Sequence, residues 1–281
     1  MREIKLTVTS EKPMTLQSFL LDRNGVSRRL LTRLKRQENG ITRRGEVVRS
    51  IDKVFPGDEI ILRLEDESLL EPNAGLNIPI VFENERLVVF NKPAGVPVHP
   101  SIKHQGDTLG NYFAALYPEL TFRPVNRLDK DTSGLCMAAK DFHAASLLQN
   151  ACEKIYYAAV EGVIGEEGTI DAPIARERES IILRCVREDG QPSVTRYRRI
   201  ASNGRYSLAE IRPETGRTHQ IRVHFAHTGH PLAGDDMYGG SLADIPRQAL
   251  HCGSMTFSEP STGERMTVTA ELPEDIASLF R

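Results

Sequence analysis

The sequence predicts an α+β protein with a mostly antiparallel mixed sheet, preceded by a small N-terminal α/β domain. Many short strand-like segments are interspersed irregularly with few helical ones, as in α+β proteins. A chain of 281 residues also suggests about two domains. Residues 23–53 hold ten Lys or Arg and three acidic residues, a net of +7, although the whole chain carries −2. We therefore expect a basic domain at 1–65, a linker at 66–76 and a larger domain at 77–281.

In the N-terminal domain, helix signals alternate with short strand signals. Gly25 ends the first helical segment, and Ser27 is a candidate N-cap for the second. The second segment has an apolar stripe of Leu30, Leu31 and Leu34. Strands are predicted at 4–8, 40–42, 45–48 and 54–60, and helices at 14–21 and 28–37. The polar face of the second helix carries Arg28, Arg29, Arg33, Lys35 and Arg36.

An acidic stretch at 64–77, with Pro72 and Gly75, is typical of a linker. In the larger domain, Asp141 is a candidate N-cap for a helix that runs through Glu153. A helix at 108–117 has Leu109, Phe113 and Leu116 on its apolar side. Strands are predicted at 78–82, 86–90, 135–139, 154–162, 180–186, 193–201, 205–212, 249–257 and 266–272.

One polar stretch stands directly before a buried strand. Residues 123–140 read RPVNRLDKDTSGLCMAAK, in which charged residues are followed by small residues and then by an apolar run. The small residues indicate a tight turn that enters the strand. Such a turn would hold Asp129 beside a rigid element, where catalytic and binding residues often lie. A single loop carboxylate is more often only solvated, so other residues must support the assignment.

A second stretch concentrates histidine and arginine. Residues 215–230 read TGRTHQIRVHFAHTGH, and the four histidines raise the alternative of a metal site. His219 lies five residues before His224, which places the two on different faces of a helix, and no HExxH pattern is present. Arg217 and Arg222 are better candidates, because the planar guanidinium suits phosphates and carboxylates. Surface charge remains the alternative for both.

Several classes of protein are disfavoured. Neither GxxxxGK[ST] nor GxGxxG occurs, and there is no GxSxG nucleophile elbow. No apolar run approaches the roughly 20 residues that span a bilayer. The alternating N-terminus does not resemble a signal peptide. Four widely spaced cysteines are typical of reduced thiols, so we expect a cytoplasmic protein without a membrane partner.

Four motifs in order resemble those of the RluA-type RNA pseudouridine synthases, the group that includes RluD-like enzymes. They are NKPAGVPVHPS, NRLDKDTSGLCMAAK, KIYYAAVEG and ETGRTHQIRVHFAHTGHPLAGDDMYGG. The segment GVSRRLLTRLK…GITRRGEVV…VFPGDEI resembles the small RNA-binding domain first described in ribosomal small-subunit protein four. This resemblance implies that the basic helix contacts structured RNA.

The resemblance implies an isomerase that needs no cofactor and no metal. It breaks the glycosidic bond of a uridine and rejoins the rotated base through carbon. By similarity, Asp129 is the nucleophile and Arg222 pairs with it. Tyr156 stacks on the base and assists proton removal, whereas the neighbouring Tyr157 points to the other face of the strand. A uridine in structured RNA must leave the stack before it reacts.

Five further residues are implied in substrate binding. Arg127 fills the gap left by the flipped nucleotide, and Ile221 forms an apolar floor beneath the base. Lys92 contacts the RNA backbone, and Arg217 is a phosphate-binding candidate. Asn126 stands where most members carry His, so this position cannot be an essential acid–base group, and we expect it to shape the loop.

We expect the RNA partner to be large-subunit ribosomal RNA, with transfer RNA as the alternative. No obligatory protein partner is inferred, and we expect a monomer.

Two rival functions are compatible with parts of the sequence. A non-catalytic RNA-binding or ribosome-assembly protein would have lost Asp129, Tyr156 or Arg222, and all three are present. A metal-dependent hydrolase would use the histidine run.

Overall fold

Two large hydrophobic cores and a small third cluster, which includes Tyr206, Ile245 and Ile276, organise the described residues. The smaller core is drawn from residues 4–64 together with Phe142, and the larger from residues 78–268. The computed structural model describes residues 2–64, 70–149, 151–178 and 182–281. Within those ranges, no helix combines the length and the apolar character that crossing a membrane requires.

Residues 2–64 build a small antiparallel sheet with two helical segments packed on it. Ser27 caps the second helix, since its hydroxyl accepts the Leu30 N–H at 3.2 Å. The predicted leucine stripe of this helix is buried, which confirms the amphipathic assignment. The elements are β1 (Arg2–Thr7), β2 (Met14–Thr15), α1 (Leu16–Ser18) with a π-helical turn (Phe19–Arg23), α2 (Arg28–Arg36), β3 (Ile41–Arg43), β4 (Glu46–Val47), β5 (Lys53–Val54) and β6 (Glu59–Leu64).

The larger part of the chain is dominated by one twisted sheet. Its strands are β7 (Ile80–Glu83), β8 (Leu87–Lys92), β9 (Arg123–Pro124), β10 (Ser133–Ala139), β11 (Glu153–Glu161), β12 (Glu167–Asp171), β15 (Val194–Ser202), β16 (Tyr206–Pro213), β17 (Leu250–Ser258) and β18 (Arg265–Thr269), while β13 (Ile174–Arg176) and β14 (Arg184–Val186) form a separate hairpin. The helices are α3 (Leu109–Leu116), α4 (Phe142–Leu148), α5 (Gln220–His227) and α6 (Glu274–Ala277).

The strand order of the large sheet is β12-β15-β16-β11-β17-β10-β8-β7, with β18 paired to β17 and β9 to β10. Strands β10 and β17 run parallel, and the other pairings among the described strands of this sheet are antiparallel. The predicted α+β class and the mostly antiparallel mixed sheet are therefore confirmed. All seven residues of β10 are buried, which explains the unbroken apolar run in the sequence.

The structure differs from the prediction in several elements. The helix predicted through Glu153 ends at Leu148, because Glu153 already pairs with Thr256 in the sheet. The first predicted helix is shortened because Met14 and Thr15 pair with β5. The predicted strands do not include β9, β12 or β13. Leu116 is 39% exposed rather than buried. Residues 66–69 of the predicted linker and 180–181 of a predicted strand lie outside the described residues.

The small core is joined to the large sheet through α4. Phe142 inserts into the small core. The Ser27 N–H donates to Ser146 Oγ at 3.0 Å, and the Ser146 hydroxyl donates to the Gly25 carbonyl at 2.8 Å. His143 Nε2 lies 2.9 Å from the Asn24 carbonyl oxygen, and burial lowers the pKa of His143, so the neutral ring donates from Nε2. This joint positions α2 beside the larger domain.

Gly134 marks the closest approach of β10 to β17. Its φ is +107°, and a Cβ atom there would lie 2.3 Å from the Cys252 carbonyl oxygen. Gly134→Ala should lower the free energy of unfolding by roughly 2–5 kcal/mol, from backbone strain plus overpacking. Urea unfolding measures the loss. Gly106→Ala is the matched control, because nothing lies within 4 Å of its Cβ position. Equal stability of the two variants would contradict the close packing.

Candidate active site

The turn that carries Asp129 is held by the surrounding fold. The Thr132 N–H donates to the Asp129 carbonyl oxygen at 3.1 Å and closes the turn. Asp129 itself keeps a side chain that is 29% exposed, so the carboxylate remains accessible. Three hydrogen bonds reach the rest of the turn: Lys92 Nζ to the Lys130 carbonyl (2.9 Å), Arg247 Nη1 to the Asp131 carbonyl (3.1 Å) and Gln248 Nε2 to Thr132 Oγ1 (3.2 Å). The predicted tight turn thus presents Asp129 rigidly.

Lys92 corrects a prediction. The family resemblance implies that Lys92 contacts the RNA backbone, but its side chain is fully buried. Its ammonium group donates to the carbonyl oxygens of Pro93 and Val96, both at 2.8 Å, in addition to that of Lys130. Burial lowers its pKa to about 8, and three acceptors match the three hydrogens of the charged form. Lys92 therefore supports the Asp129 turn from behind and does not face the cleft.

Arg222 links Asp129 to a second carboxylate. Its Nη1 donates to Asp129 Oδ2 at 3.0 Å, while Nε and Nη2 both donate to Asp235 at 2.7 Å. Arg222 is 5% exposed and Asp235 is 1% exposed. Burial opposes the guanidinium charge, but the hydrogen bonds and charge of Asp235, followed by those of Asp129, leave the pKa of Arg222 raised. The sequence prediction that Arg222 lies beside Asp129 is matched by this geometry.

Tyr156 lies at the centre of the sheet, beside an irregularity in its pairing. Along β11, Ile155 pairs with Ser254 but Tyr156 pairs with Cys252, so Gly253 is bulged out of the ladder. Bulges commonly redirect side chains next to active sites. Tyr156 is 9% exposed, and burial raises the pKa of its phenol well above the usual value. The phenol is therefore protonated at neutral pH.

The loop before α5 is organised by the amide of Gln220. Its Oε1 accepts hydrogen bonds from the Thr215 hydroxyl at 2.8 Å and from the Arg217 N–H at 3.0 Å. Its Nε2 donates to Val194 and Thr195 of β15. Because both ends of this buried amide are satisfied, the loop is tied to the sheet. This arrangement holds His219, at the end of the loop, next to Asp129.

The histidines of the 215–230 stretch have separate environments. His224 is buried between Thr195 Oγ1 and the Ala172 carbonyl, at 2.8 and 2.9 Å. His230 Nδ1 lies 2.9 Å from the Glu161 carbonyl. His219 Nδ1 lies 2.7 Å from the Tyr238 hydroxyl. In the part of the chain that the structure describes, no group of three His, Cys, Asp or Glu could hold a metal ion.

One large cleft, with a volume of about 2120 Å³, opens around Asp129. The predicted residues that line it are Asp129, Tyr156, Arg222, Arg127, Asn126, Ile221, Arg217 and Arg29. Further basic residues at its walls are Arg123, Lys130, Lys154, Arg196, Arg212 and Arg265. Among the described basic residues of α2, Arg29 reaches the cleft, whereas Arg28, Arg33, Lys35 and Arg36 are exposed elsewhere. The cleft walls are thus rich in cations suited to phosphates.

Asn126 lines the cleft but uses its amide on the protein. Its Nδ2 donates to the Leu135 carbonyl at 3.1 Å, and its Oδ1 accepts the Met137 N–H at 2.9 Å. The side chain is buried and braces the segment against β10. This corrects the assignment of Asn126 to direct substrate contact, while agreeing with its expected effect on the loop. Arg127 next to it is exposed in the cleft.

Sequence reasoning missed three residues of this site. In the sequence, His219 is a candidate only for a metal ligand, and no motif marks Asp235 or Tyr238 as site residues. Tyr238 places its ring 5.0 Å from the Arg222 guanidinium, and Asp235 forms the buried pair with the same arginine. The run GDDMY offers two adjacent acids but no spacing that would predict a contact with Arg222, since this contact forms only when the chain after α5 turns back.

The sequence model of the RNA pseudouridylate synthase family matches residues 86–227. The chain belongs to this family. It is 38% identical to the uncharacterized RNA pseudouridine synthase YjbO of Bacillus subtilis, over 92% of this chain and 95% of that protein. It is also 38% identical to the ribosomal large subunit pseudouridine synthase D of Pseudomonas aeruginosa, over 87% of this chain and 84% of that protein.

A solved structure agrees with the fold. The human RNA pseudouridylate synthase domain containing 1 protein superposes with a TM-score of 0.59 at 28% identity, covering 72% of this chain and 86% of that chain. The chain is therefore a pseudouridine synthase, an isomerase that acts on RNA. Membership of the RNA pseudouridylate synthase family disagrees with two alternatives, a metal-dependent hydrolase and a protein that only binds RNA.

Lys92→Met tests the support of the Asp129 turn. The variant leaves three carbonyl oxygens without their donor, which should destabilise the turn by about 3 kcal/mol or more and reduce turnover. Hydrogen exchange at residues 128–133 should become faster. Lys103→Met, at an exposed lysine, is the matched control. If Lys92→Met instead reduced the slope of RNA affinity against salt concentration by about the amount expected for one phosphate contact, Lys92 would contact RNA.

Proposed function

We propose that this synthase isomerises specific uridines in structured RNA, with Asp129 as the nucleophile. The observation that carries the proposal is the 3.0 Å contact between Asp129 Oδ2 and the buried guanidinium of Arg222, at the base of a cleft lined with basic residues. A carboxylate can stabilise or trap the positive charge that develops on a sugar when its glycosidic bond breaks. Arg222 donates a charge-assisted hydrogen bond to that carboxylate.

The proposed reaction begins with a bond between Asp129 and the ribose. A carboxylate oxygen of Asp129 bonds to C1′ of the ribose while the N1–C1′ bond breaks and uracil leaves with the electron pair. The base turns, C5 attacks C1′, and the carboxylate departs unchanged. C5 then loses its proton and N1 gains one. Among the described residues, the contacts of the carboxylate go to Oδ2, so we assign the attack to Oδ1.

The remaining cleft residues are proposed to hold the base. Tyr156 presents a neutral ring on which uracil can stack, and its raised pKa disfavours a phenolate base. Ile221 begins the inward face of α5 and is 6% exposed, so it offers an apolar floor. Arg127 is exposed two residues before Asp129 and is suited to fill the gap that a flipped nucleotide leaves. Arg217 is exposed at the rim and suits a phosphate.

We propose large-subunit ribosomal RNA as the substrate. Support comes from relatives named ribosomal large subunit pseudouridine synthase D, which include proteins of Pseudomonas aeruginosa and Haemophilus influenzae at 38% identity. Transfer RNA is the second candidate from the sequence. Mapping of modified sites distinguishes the two directly.

Asp129→Asn should abolish isomerisation, because the amide oxygen is a poor nucleophile. Site-resolved pseudouridine mapping of total RNA, from cells that lack the gene and carry each variant, measures the result. Specific sites should vanish without the gene, return with the wild type and stay absent with Asp129→Asn. Asp131→Asn, two residues later in the same turn, is the matched control and should restore every site. Restoration by Asp129→Asn would remove Asp129 as the nucleophile.

We propose that residues 1–65 form an RNA-binding domain that holds the RNA next to the cleft. Arg28, Arg29, Arg33, Lys35 and Arg36 are exposed on α2. The joint at α4 holds the start of this helix against the larger domain through Ser27 and Ser146. Arg29 lies at the cleft edge, while the other basic residues extend the charged surface away from Asp129. A structured RNA could therefore contact α2 while one of its uridines reaches the nucleophile.

Arg33→Ala combined with Arg36→Ala should weaken RNA binding without lowering turnover at saturating RNA, since neither residue lines the cleft. The slope of binding affinity against salt concentration should fall by about two phosphate contacts. Lys12→Ala, at an exposed lysine outside the helix, serves as the control. A loss of saturated turnover would place the two arginines in catalysis, and wild-type binding that is insensitive to salt would contradict the role of the domain.

A further inference from the structure

A second group faces the Asp129 carboxylate besides Arg222. The Nε2 atom of His219 lies 3.7 Å from Asp129 Oδ2, and the His219 side chain is 8% exposed. The backbone of His219 has a left-handed φ of 56°, which residues with a side chain seldom adopt. His219 directly precedes α5, yet its side chain makes no capping hydrogen bond. The unusual backbone conformation therefore directs the imidazole to the carboxylate and not to the helix.

Tyr238 determines which imidazole nitrogen carries the hydrogen. Its hydroxyl oxygen accepts the Arg184 N–H at 3.0 Å and lies 2.7 Å from His219 Nδ1. The Arg184 N–H can only donate, so among the described residues Nδ1 is the acceptor within hydrogen-bond distance of this hydroxyl, and we assign the hydroxyl hydrogen to it. Nδ1 is then the acceptor, and the hydrogen of a neutral imidazole lies on Nε2. That hydrogen faces Asp129.

The surroundings of His219 favour the neutral ring. Burial lowers the pKa of His219, and the positive charges of Arg222 and Arg184 lower it further. The negative charges of Asp129 and Asp235 act in the opposite direction, but the pKa remains lowered. Burial also raises the pKa of Tyr238, so its hydroxyl keeps the hydrogen that Nδ1 accepts. A neutral Nε2–H can orient the carboxylate without adding a second cation beside Arg222. A second full charge would make the oxygen a weaker nucleophile.

We propose that His219, oriented by Tyr238, is a positioning residue for Asp129. Its Nε2–H closes onto Oδ2 when RNA fills the cleft, as catalytic hydrogen bonds often tighten in the substrate complex. Together with Arg222 it holds Oδ2 while Oδ1 forms and breaks the bond to C1′. His219 gains and loses no proton in the reaction. The inference rests on the proposed role of Asp129 as the nucleophile.

Two variants separate this role from a structural one. Tyr238→Phe keeps the ring beside Arg222 and removes the hydroxyl that orients His219. His219→Asn suits the left-handed backbone, because Asn adopts it more readily than other residues, but its side chain is too short to reach Asp129. The control is His227→Asn, at the last residue of α5. Turnover is measured from the release of tritium from RNA labelled at uridine C5.

For Tyr238→Phe we expect kcat to fall about tenfold and KM for RNA to change by less than about twofold, since a small misplacement of a reacting group slows the chemical step. His219→Asn should lose more, and His227→Asn should match the wild type. Wild-type kcat in either of the first two variants overturns the proposal. A raised KM with unchanged kcat also overturns it, because His219 would then contact RNA instead.

Nitrogen NMR of the imidazole provides a readout that does not depend on activity. The wild type should show a hydrogen on Nε2 and none on Nδ1 of His219, and Tyr238→Phe should show a mixture of the two tautomers. A hydrogen on Nδ1 in the wild type would overturn the proposal. The assignment of the nucleophile is tested separately by Asp129→Asn, so the failure of one idea is distinguishable from the failure of the other.

Discussion

The buried bridge from Asp235 through Arg222 to Asp129 is the interaction on which the site depends. One guanidinium donates two hydrogen bonds to Asp235 and one to Asp129, and both bonds to Asp235 are 2.7 Å long. Removing one partner of such a buried pair typically costs about 3–5 kcal/mol, because the other charge is left uncompensated. Asp235 fixes the position of the Arg222 guanidinium. The fixed guanidinium then orients the Asp129 carboxylate at the floor of the cleft.

The surrounding fold converts this bridge into a rigid arrangement. Arg222 is presented by α5, whereas Asp129 lies in the turn before β10, so the two reach each other only because the sheet holds both elements in place. Lys92 and Arg247 fasten the turn through its backbone carbonyls. Buried ammonium and guanidinium groups thus perform structural work beside the cleft, while exposed ones remain available for RNA. Lysine and arginine therefore have a structural role where they are buried and a different role where they are exposed.

The irregular order of strand and helix signals predicted the α+β class, and the resemblance to RNA pseudouridine synthases, read from four motifs, predicted the pairing of Arg222 with Asp129. Periodicity found most strands and the leucine stripe of α2, because local alternation reflects which face is buried. It failed at β12 and β13, which are short and half exposed. It also extended α4 too far, since the pairing of Glu153 with β17 is set by distant residues.

The sequence by itself determined the chemistry available: which acid precedes the buried strand, where the basic helix lies, and which motifs stand in which order. Tertiary structure alone decided which polar side chains are buried and hydrogen-bonded within the protein, as Lys92 and Asn126 show. It also brought His219 beside Asp129, and Asp235 and Tyr238 beside Arg222. The physical reason is that local patterns report burial along one element, whereas hydrogen bonds between distant elements depend on how the sheet and its turns are closed.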